Sequence, residues 1–113
     1  MGLQLRLLPI EGIKEEIKGS GNFLNCEKDK VLFEQIEQIN ASTVPSDFQA
    51  YYDTEEGFVY GSLTKDAYGT ELNYVFVKEL LKFKPDSESQ TNKAIWAYLK
   101  QLPPEGKIAL YWN

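Results

Sequence analysis

The chain has 113 residues, 42% hydrophobic and 26% charged, so we expect one globular domain, residues 1–113, with its own core. One cysteine and no histidine exclude an intrachain disulfide, the usual zinc sites and catalysis by a histidine base. Seventeen acidic against 12 basic residues give a net charge of −5, which argues against nucleic acid as a partner. Because no apolar run approaches the roughly 20 residues that cross a bilayer, we expect a cytoplasmic protein that binds no membrane.

The first 40 residues predict a strand, a loop and a helix. Apolar and polar residues alternate over residues 3–7, and Pro9 is expected to end that strand or to mark a sheet edge. The charged, glycine-punctuated residues 11–21 predict a loop with room for one helical turn. From residue 28 the spacing is helical, starting near Asn25 or Glu27 and ending near Asn40. The predicted buried stripe is Val31, Leu32, Ile36 and Ile39, with Phe33 beside it.

The middle of the chain predicts a hairpin. Residues 48–53 and 58–63 are rich in β-forming residues, and a short connection that ends at Gly57 separates them. Residues 65–69 indicate a second turn. Residues 72–77 suit either a helix or a strand, and we favour a strand to about Phe76 followed by a short helix over residues 77–83.

The last third predicts a helix and a final strand. Ser87 or Ser89 caps the helix, and Pro103 and Pro104 end it. Its predicted buried side carries Ala94, Ile95, Tyr98, Leu99 and Leu102, with Lys93 and Lys100 outside. Trp96 falls at the border of that stripe, and for both Trp96 and Trp112 the alternatives of core packing and an interface stay open. Residues 107–112 predict the last strand, and residues 108–111 are consecutively apolar, which is typical of a central strand.

These elements together predict an α+β fold. We expect a small, mostly antiparallel sheet of four or five strands with two or three helices packed on one face.

The candidate binding surface lies in the middle of the chain. Five of the seven tyrosines fall in residues 48–74, and residues 41–77 hold six acidic residues against Lys65 alone. Tyrosine beside carboxylate is typical of recognition surfaces. Since neighbouring strand residues point to opposite faces, only one of Tyr51 and Tyr52 is expected in the core. The predicted binding residues are Tyr51, Tyr52, Asp53, Glu55, Glu56, Tyr60, Asp66 and Tyr68.

Three patterns in the sequence have spacings related to those of catalytic or metal-binding sites. Ser62 and Lys65 have Ser-x-x-Lys spacing, but a serine that follows a strand lacks the helical turn needed to bring the lysine to it. The acids at positions 53, 55 and 56 share one turn, whereas glycosidase carboxylates flank a cleft. The same acids are spaced poorly for calcium. We therefore assign no catalytic residue, no metal and no cofactor.

The sequence favours a non-catalytic protein-interaction domain, of the inhibitor or immunity type, that presents the tyrosine- and acid-rich hairpin to a basic protein partner. The alternative is a small-ligand or carbohydrate-binding domain in which Tyr52, Tyr60, Tyr68 and Trp112 line a cleft. A carboxylate-based hydrolase is the weakest of the three hypotheses.

Overall fold

The computed structural model describes residues 4–13, 16–19, 23–54 and 56–113. Within these ranges strands and helices alternate irregularly along the chain. In order they are β1 (Leu5–Ile13), β2 (Glu16–Gly19), β3 (Leu24–Asn25), α1 (Lys30–Glu37), β4 (Ser42–Thr43), β5 (Gln49–Thr54), β6 (Gly57–Ser62), β7 (Asn73–Phe76), α2 (Val77–Leu80), α3 (Gln90–Leu99) and β8 (Lys107–Trp112).

The strands form a mostly antiparallel sheet, as the sequence predicts. Its main part has the order β4-β7-β8-β1-β2, and the short β3 pairs with β1 beside β2. The β5–β6 hairpin joins this sheet through one parallel pair, between Lys18 and Gln49. β8 lies between β7 and β1, which confirms that it is a central strand. The strand followed by a short helix at β7 and α2 is also confirmed.

Pro9 lies inside β1, opposite Ile108, so the prediction that it ends the strand or marks an edge is wrong. Gln4 exchanges both backbone hydrogen bonds with Asn113, whereas the Leu5 carbonyl accepts from the N–H of Cys26, on the other side of β1. Because backbone groups alternate in direction along a strand, the nitrogen of Pro9 faces away from β8. On that side β1 pairs with β3 up to Leu7 and with β2 from Ile10 onward, so the missing N–H of Pro9 falls between the two pairings.

The prediction of a loop over residues 11–21 is also wrong for the residues of that range that the structure describes. β1 continues through Ile13, and β2 begins at Glu16 and pairs with it up to Gly19. Residues 14, 15, 20 and 21 lie outside the described part of the chain. Charged and glycine residues weaken strand propensity, but pairing with a central strand outweighs that local preference.

One face of the sheet is covered by all three helices. Leu5 and Leu7 of β1 and Ile108 and Leu110 of β8 belong to the same buried cluster as the helices. The helical members of this cluster are Leu32, Phe33, Ile36, Val77, Leu80, Ile95, Trp96 and Leu99. The predicted packing of the helices on one face is thereby confirmed.

In both long helices, α1 and α3, the buried side differs from the predicted one by a rotation about the helix axis. In α1, Phe33 is buried and Val31 is 66% exposed, and the N-cap is Asp29, whose side chain accepts from the N–H of Leu32. In α3, Trp96 is buried, whereas Ala94 and Tyr98 are exposed. Volume explains both shifts, because burying a large ring removes more apolar surface from water than burying valine or alanine.

The other face of the sheet carries a second core. Leu8 and Ile10 of β1 and Ala109 of β8 point to this side and are buried. The residues that cover them come from the middle of the chain: Val44, Phe48, Ala50, Leu63 and Leu72. The segment from residue 44 to residue 72 therefore packs on the face of the sheet that the helices leave uncovered.

The buried amide side chain of Asn92 links α3 to the backbone segment that precedes α1. Asn92 of α3 is fully buried, its Oδ1 accepts from the N–H of Glu27 at 2.7 Å, and its Nδ2 donates to the Glu27 carbonyl at 2.9 Å. The side chain thus pairs with the backbone before α1 as another strand would. The N–H of Asn92 donates in turn to the hydroxyl of Ser89, the N-cap of α3.

We predict that Asn92→Ala lowers the free energy of unfolding by about 3 kcal/mol, because both backbone groups of Glu27 lose a partner in a buried place. Urea unfolding followed by tryptophan fluorescence measures this change. Thr91→Ala is the matched control, since Thr91 is exposed in the same helix, and it should change the value by no more than about 0.5 kcal/mol. Equal values for the two variants would contradict the role of the amide.

Candidate functional site

The predicted hairpin is confirmed, with a tight turn at its tip. β5 and β6 pair in register from Gln49 opposite Ser62 to Thr54 opposite Gly57. Gly57 has a φ of 115°, a backbone conformation that side chains with a Cβ rarely adopt. The hairpin therefore ends in a tight turn, and Glu56 is exposed beside Gly57.

The structure describes only some of the predicted binding residues of the hairpin. Tyr60 is 42% exposed and is the register partner of Tyr51. The side chains of Tyr51, Tyr52 and Asp53 and the whole of Glu55 lie outside the described part of the chain. Which tyrosine of the adjacent pair is exposed therefore stays a prediction.

Asp66 and Tyr68 belong to a separate turn after the hairpin. The buried carboxylate of Asp66 accepts through Oδ1 from the N–H groups of Tyr68 at 2.9 Å and Thr70 at 3.1 Å. Gly69 completes the turn with a φ of 79°. The N–H of Ala67 donates to the Trp112 carbonyl and so anchors the turn to the end of β8. Asp66 thus acts on the surface indirectly, by holding the turn from which Tyr68, 54% exposed, projects.

The Ser-x-x-Lys pattern lies in extended backbone. Ser62 is the last residue of β6, and Lys65 forms an isolated bridge with Glu71. Both side chains are exposed. Since the serine does not begin a helix, this geometry offers no helical turn that brings the lysine to the hydroxyl.

Among the described residues, no three His, Cys, Asp or Glu side chains are placed to hold a metal ion together.

Two aromatic residues of the alternative ligand cleft, Trp112 and Tyr60, lie on different sides of the sheet. Trp112 packs against the helix-side core, with its ring centroid 5.8 Å from that of Phe33 in an edge-to-face arrangement. Tyr60 lies in the hairpin that covers the other face. The structure therefore does not bring these two aromatic side chains together.

Charge is distributed unevenly over the two faces. The six acidic residues of positions 41–77 all precede β7, within the segment that covers the second core. Asp47, Glu56 and Glu71 are exposed there. Residues 78–113, which supply α3 and most of α2, carry six basic against four acidic residues. We call the surface formed by residues 41–72 the acidic face.

On the helix side lies a groove that sequence reasoning missed. It has a volume of about 390 Å³ and lies between α3 and the segment that follows α2. Its apolar lining includes Leu81, Phe83, Trp96 and Ala97, and its charged lining is Lys84, Lys93 and Lys100. We call this the basic groove. The spacing of Lys93, Trp96 and Lys100, three and seven residues along one helix, was the signal in the sequence that could have revealed it.

Cys26 is a packing residue. It is buried in the helix-side core, and its N–H donates to the Leu5 carbonyl. Burial raises the pKa of the Cys26 thiol to about 12, because the low-dielectric surroundings disfavour the thiolate. At neutral pH the group is therefore protonated.

Comparison with protein-family models, with curated proteins and with solved structures finds no match to this chain. Within the described residues, no helix has the length and apolar character needed to span a membrane. Function is therefore argued from geometry and charge.

We predict that Asp66→Ala lowers the free energy of unfolding by about 1–2 kcal/mol, the usual cost of removing a side chain that accepts from turn or cap N–H groups. Thermal or urea unfolding measures the loss. Asp66→Asn keeps an acceptor oxygen and should lose less. If alanine and asparagine were equally harmful, the carboxylate would contribute by its charge and not by holding the turn.

We predict that Cys26 in the folded protein reacts with iodoacetamide at pH 8 at least a hundredfold more slowly than in urea. The raised pKa leaves roughly a thousandfold less thiolate than in a free cysteine, and burial blocks access as well. Mass spectrometry of alkylated protein over time follows the reaction. Rapid labelling of the native protein would show that Cys26 is accessible and that this pKa is wrong.

Proposed function

We propose that the chain is a non-catalytic protein-interaction domain, of the inhibitor or immunity type, whose acidic face binds a basic protein. The observation that supports this most is the concentration of acidic residues in the segment that covers one face of the sheet. Positions 41–77 carry a net charge of −5, and their acidic residues belong to the segment that covers one face of the sheet. The basic C-terminal segment supplies the helices α2 and α3 on the other face. A face of one sign attracts and orients a partner of the opposite sign.

Exposed tyrosines support binding at the same face. Tyr60 and Tyr68 are both partly exposed and lie in the same chain segment as the exposed carboxylates of Glu56 and Glu71. Tyrosine offers a large contact area with only two side-chain torsions to fix, and it is enriched among the residues that dominate binding energy. The acidic face therefore combines anchors for affinity with charges for selectivity.

The backbone that carries these groups is already ordered. β5 and β6 are paired along their length, and the turn of Tyr68 is held by Asp66 and tied to β8. A surface that is formed before binding loses less conformational entropy when the partner arrives. This organisation fits a domain that recognises a partner and does not change shape to do so.

The first test captures proteins from the native host on the immobilised chain at low ionic strength. We predict that basic proteins bound by the wild type are lost with Glu55→Lys/Glu56→Lys, with affinity for the recovered partner weakened at least about tenfold, because like charges then face each other. Glu34→Lys/Glu37→Lys is the matched control, since it changes the net charge equally on the exposed surface of α1 and should bind as the wild type does.

The tyrosines are tested in the same assay. Tyr68→Ala should weaken binding, whereas Tyr98→Ala, which removes an equally exposed tyrosine from α3, should not. Affinity should also fall as ionic strength rises. Equal binding by the two double variants would contradict the proposal. No captured protein, together with a thermal shift caused by one neutral metabolite, would favour the ligand-binding alternative.

A further inference from the structure

The basic groove is independent of the proposed function, since it lies on the helix side of the sheet. Trp96 forms part of its lining and is only 4% exposed. The indole N–H donates to the carbonyls of Leu80 at 3.3 Å and Phe83 at 3.0 Å. Both acceptors belong to α2 and the segment after it, so the two walls of the groove are joined through this ring. The groove is therefore present before any ligand binds.

The charge of the groove is of one sign. Lys84, Lys93 and Lys100 line it, and none of the acidic residues that the structure describes does. Among the described residues the ion pairs on this side join Lys78 to Glu105 and Lys82 to Glu79, so they leave the three groove lysines without a carboxylate. Three uncompensated ammonium groups around an apolar lining favour an occupant that is both apolar and negatively charged.

The carboxylates nearest in sequence do not line the groove. Asp86 and Glu88 flank Ser87, but Oδ1 of Asp86 accepts from the N–H of Glu88 and neither residue lines the groove. Lys93 donates to the Ser87 carbonyl at 3.2 Å, which holds its ammonium group at the rim.

The spacing of the lysines defines the occupant further. Lys93 of α3 and Lys100, its C-cap residue, are seven residues apart, which is about 10.5 Å along a helix axis. Trp96 and Ala97 lie between them on the same side. Two negative charges at a similar spacing, with an apolar group between them, complement the two lysines and the apolar lining that separates them. A helix alongside α3 has that period, with acidic residues at i and i+7 and apolar residues at i+3 and i+4.

We propose that the basic groove binds an amphipathic acidic helix of a second protein. The partner's apolar side chains lie over Trp96 and Ala97, and its two carboxylates pair with Lys93 and Lys100. Lys84 on the opposite wall adds a third positive charge. The chain would then join a basic partner on one face and an acidic partner on the other.

The probe is a fluorescein-labelled, alanine-rich peptide of about 15 residues, long enough to form a helix on binding, with Glu at i and i+7, Leu at i+3 and Phe at i+4. Fluorescence anisotropy measures its affinity at low ionic strength. We expect saturable binding that is lost when both Glu are replaced by Gln. A scrambled peptide of the same composition should bind at least fivefold more weakly.

Variants of the chain locate the site. Lys93→Gln and Lys100→Gln should each weaken binding about twofold to fivefold, the range of exposed ion pairs, and Lys82→Gln, outside the groove, should not. Ala97→Glu should weaken it at least tenfold. Ala94→Glu is its matched control, because it adds the same charge to an exposed position of α3 that does not line the groove.

Three results would overturn the proposal. The scrambled peptide could bind as well as the designed one, or Ala97→Glu could bind as the wild type does. Self-association that Ala97→Glu abolishes, without peptide binding, would show that a second copy of the chain occupies the groove. Glu55→Lys/Glu56→Lys should leave peptide affinity within twofold, so this proposal and that of the acidic face can fail separately.

Discussion

The fold depends on the burial of both faces of two adjacent central strands. Leu5 and Leu7 of β1 point to one side of the sheet and Leu8 and Ile10 to the other, and β8 does the same with Ile108 and Ala109. Apolar surface on both sides of a sheet must be removed from water by two separate covers. The helices form one cover, and the segment that contains the β5–β6 hairpin forms the other. The positions of the acidic face and the basic groove follow from which part of the chain covers each face of the sheet.

This arrangement turns a linear charge pattern into a spatial one. The acidic middle of the chain and the basic C-terminal segment are adjacent in sequence, yet the sheet places the acidic face and the basic groove on opposite sides. Charges of opposite sign that are held apart do not neutralise each other, and each stays available to a partner. The two proposed interactions are separate for the same reason. Trp96 and Asp66 have comparable roles on their own sides, because each holds backbone that shapes a surface.

Prediction from sequence succeeded where local signals were strong. The β5–β6 hairpin, the strand and short helix around Phe76, the capping of α3 by Ser89 and the central position of β8 all rest on turn residues, caps or hydrophobic runs. It failed where a distant contact outweighed local preference. Residues 11–13 and 16–19 form strands because they pair with each other beside the core, and α1 is rotated because Phe33 fills the space beneath it better than Val31 does.

The sequence by itself determined the α+β class, the order of most elements and the location of the acidic, tyrosine-rich segment, because composition and periodicity are local properties. Only the tertiary structure decided that Asp66 is buried in a turn, that Trp96 belongs to the core, and that Lys84 joins Lys93 and Lys100 around one groove. These outcomes depend on contacts between residues far apart in the chain. No local pattern encodes them, because the free energy of each contact depends on what the rest of the fold brings to the same place.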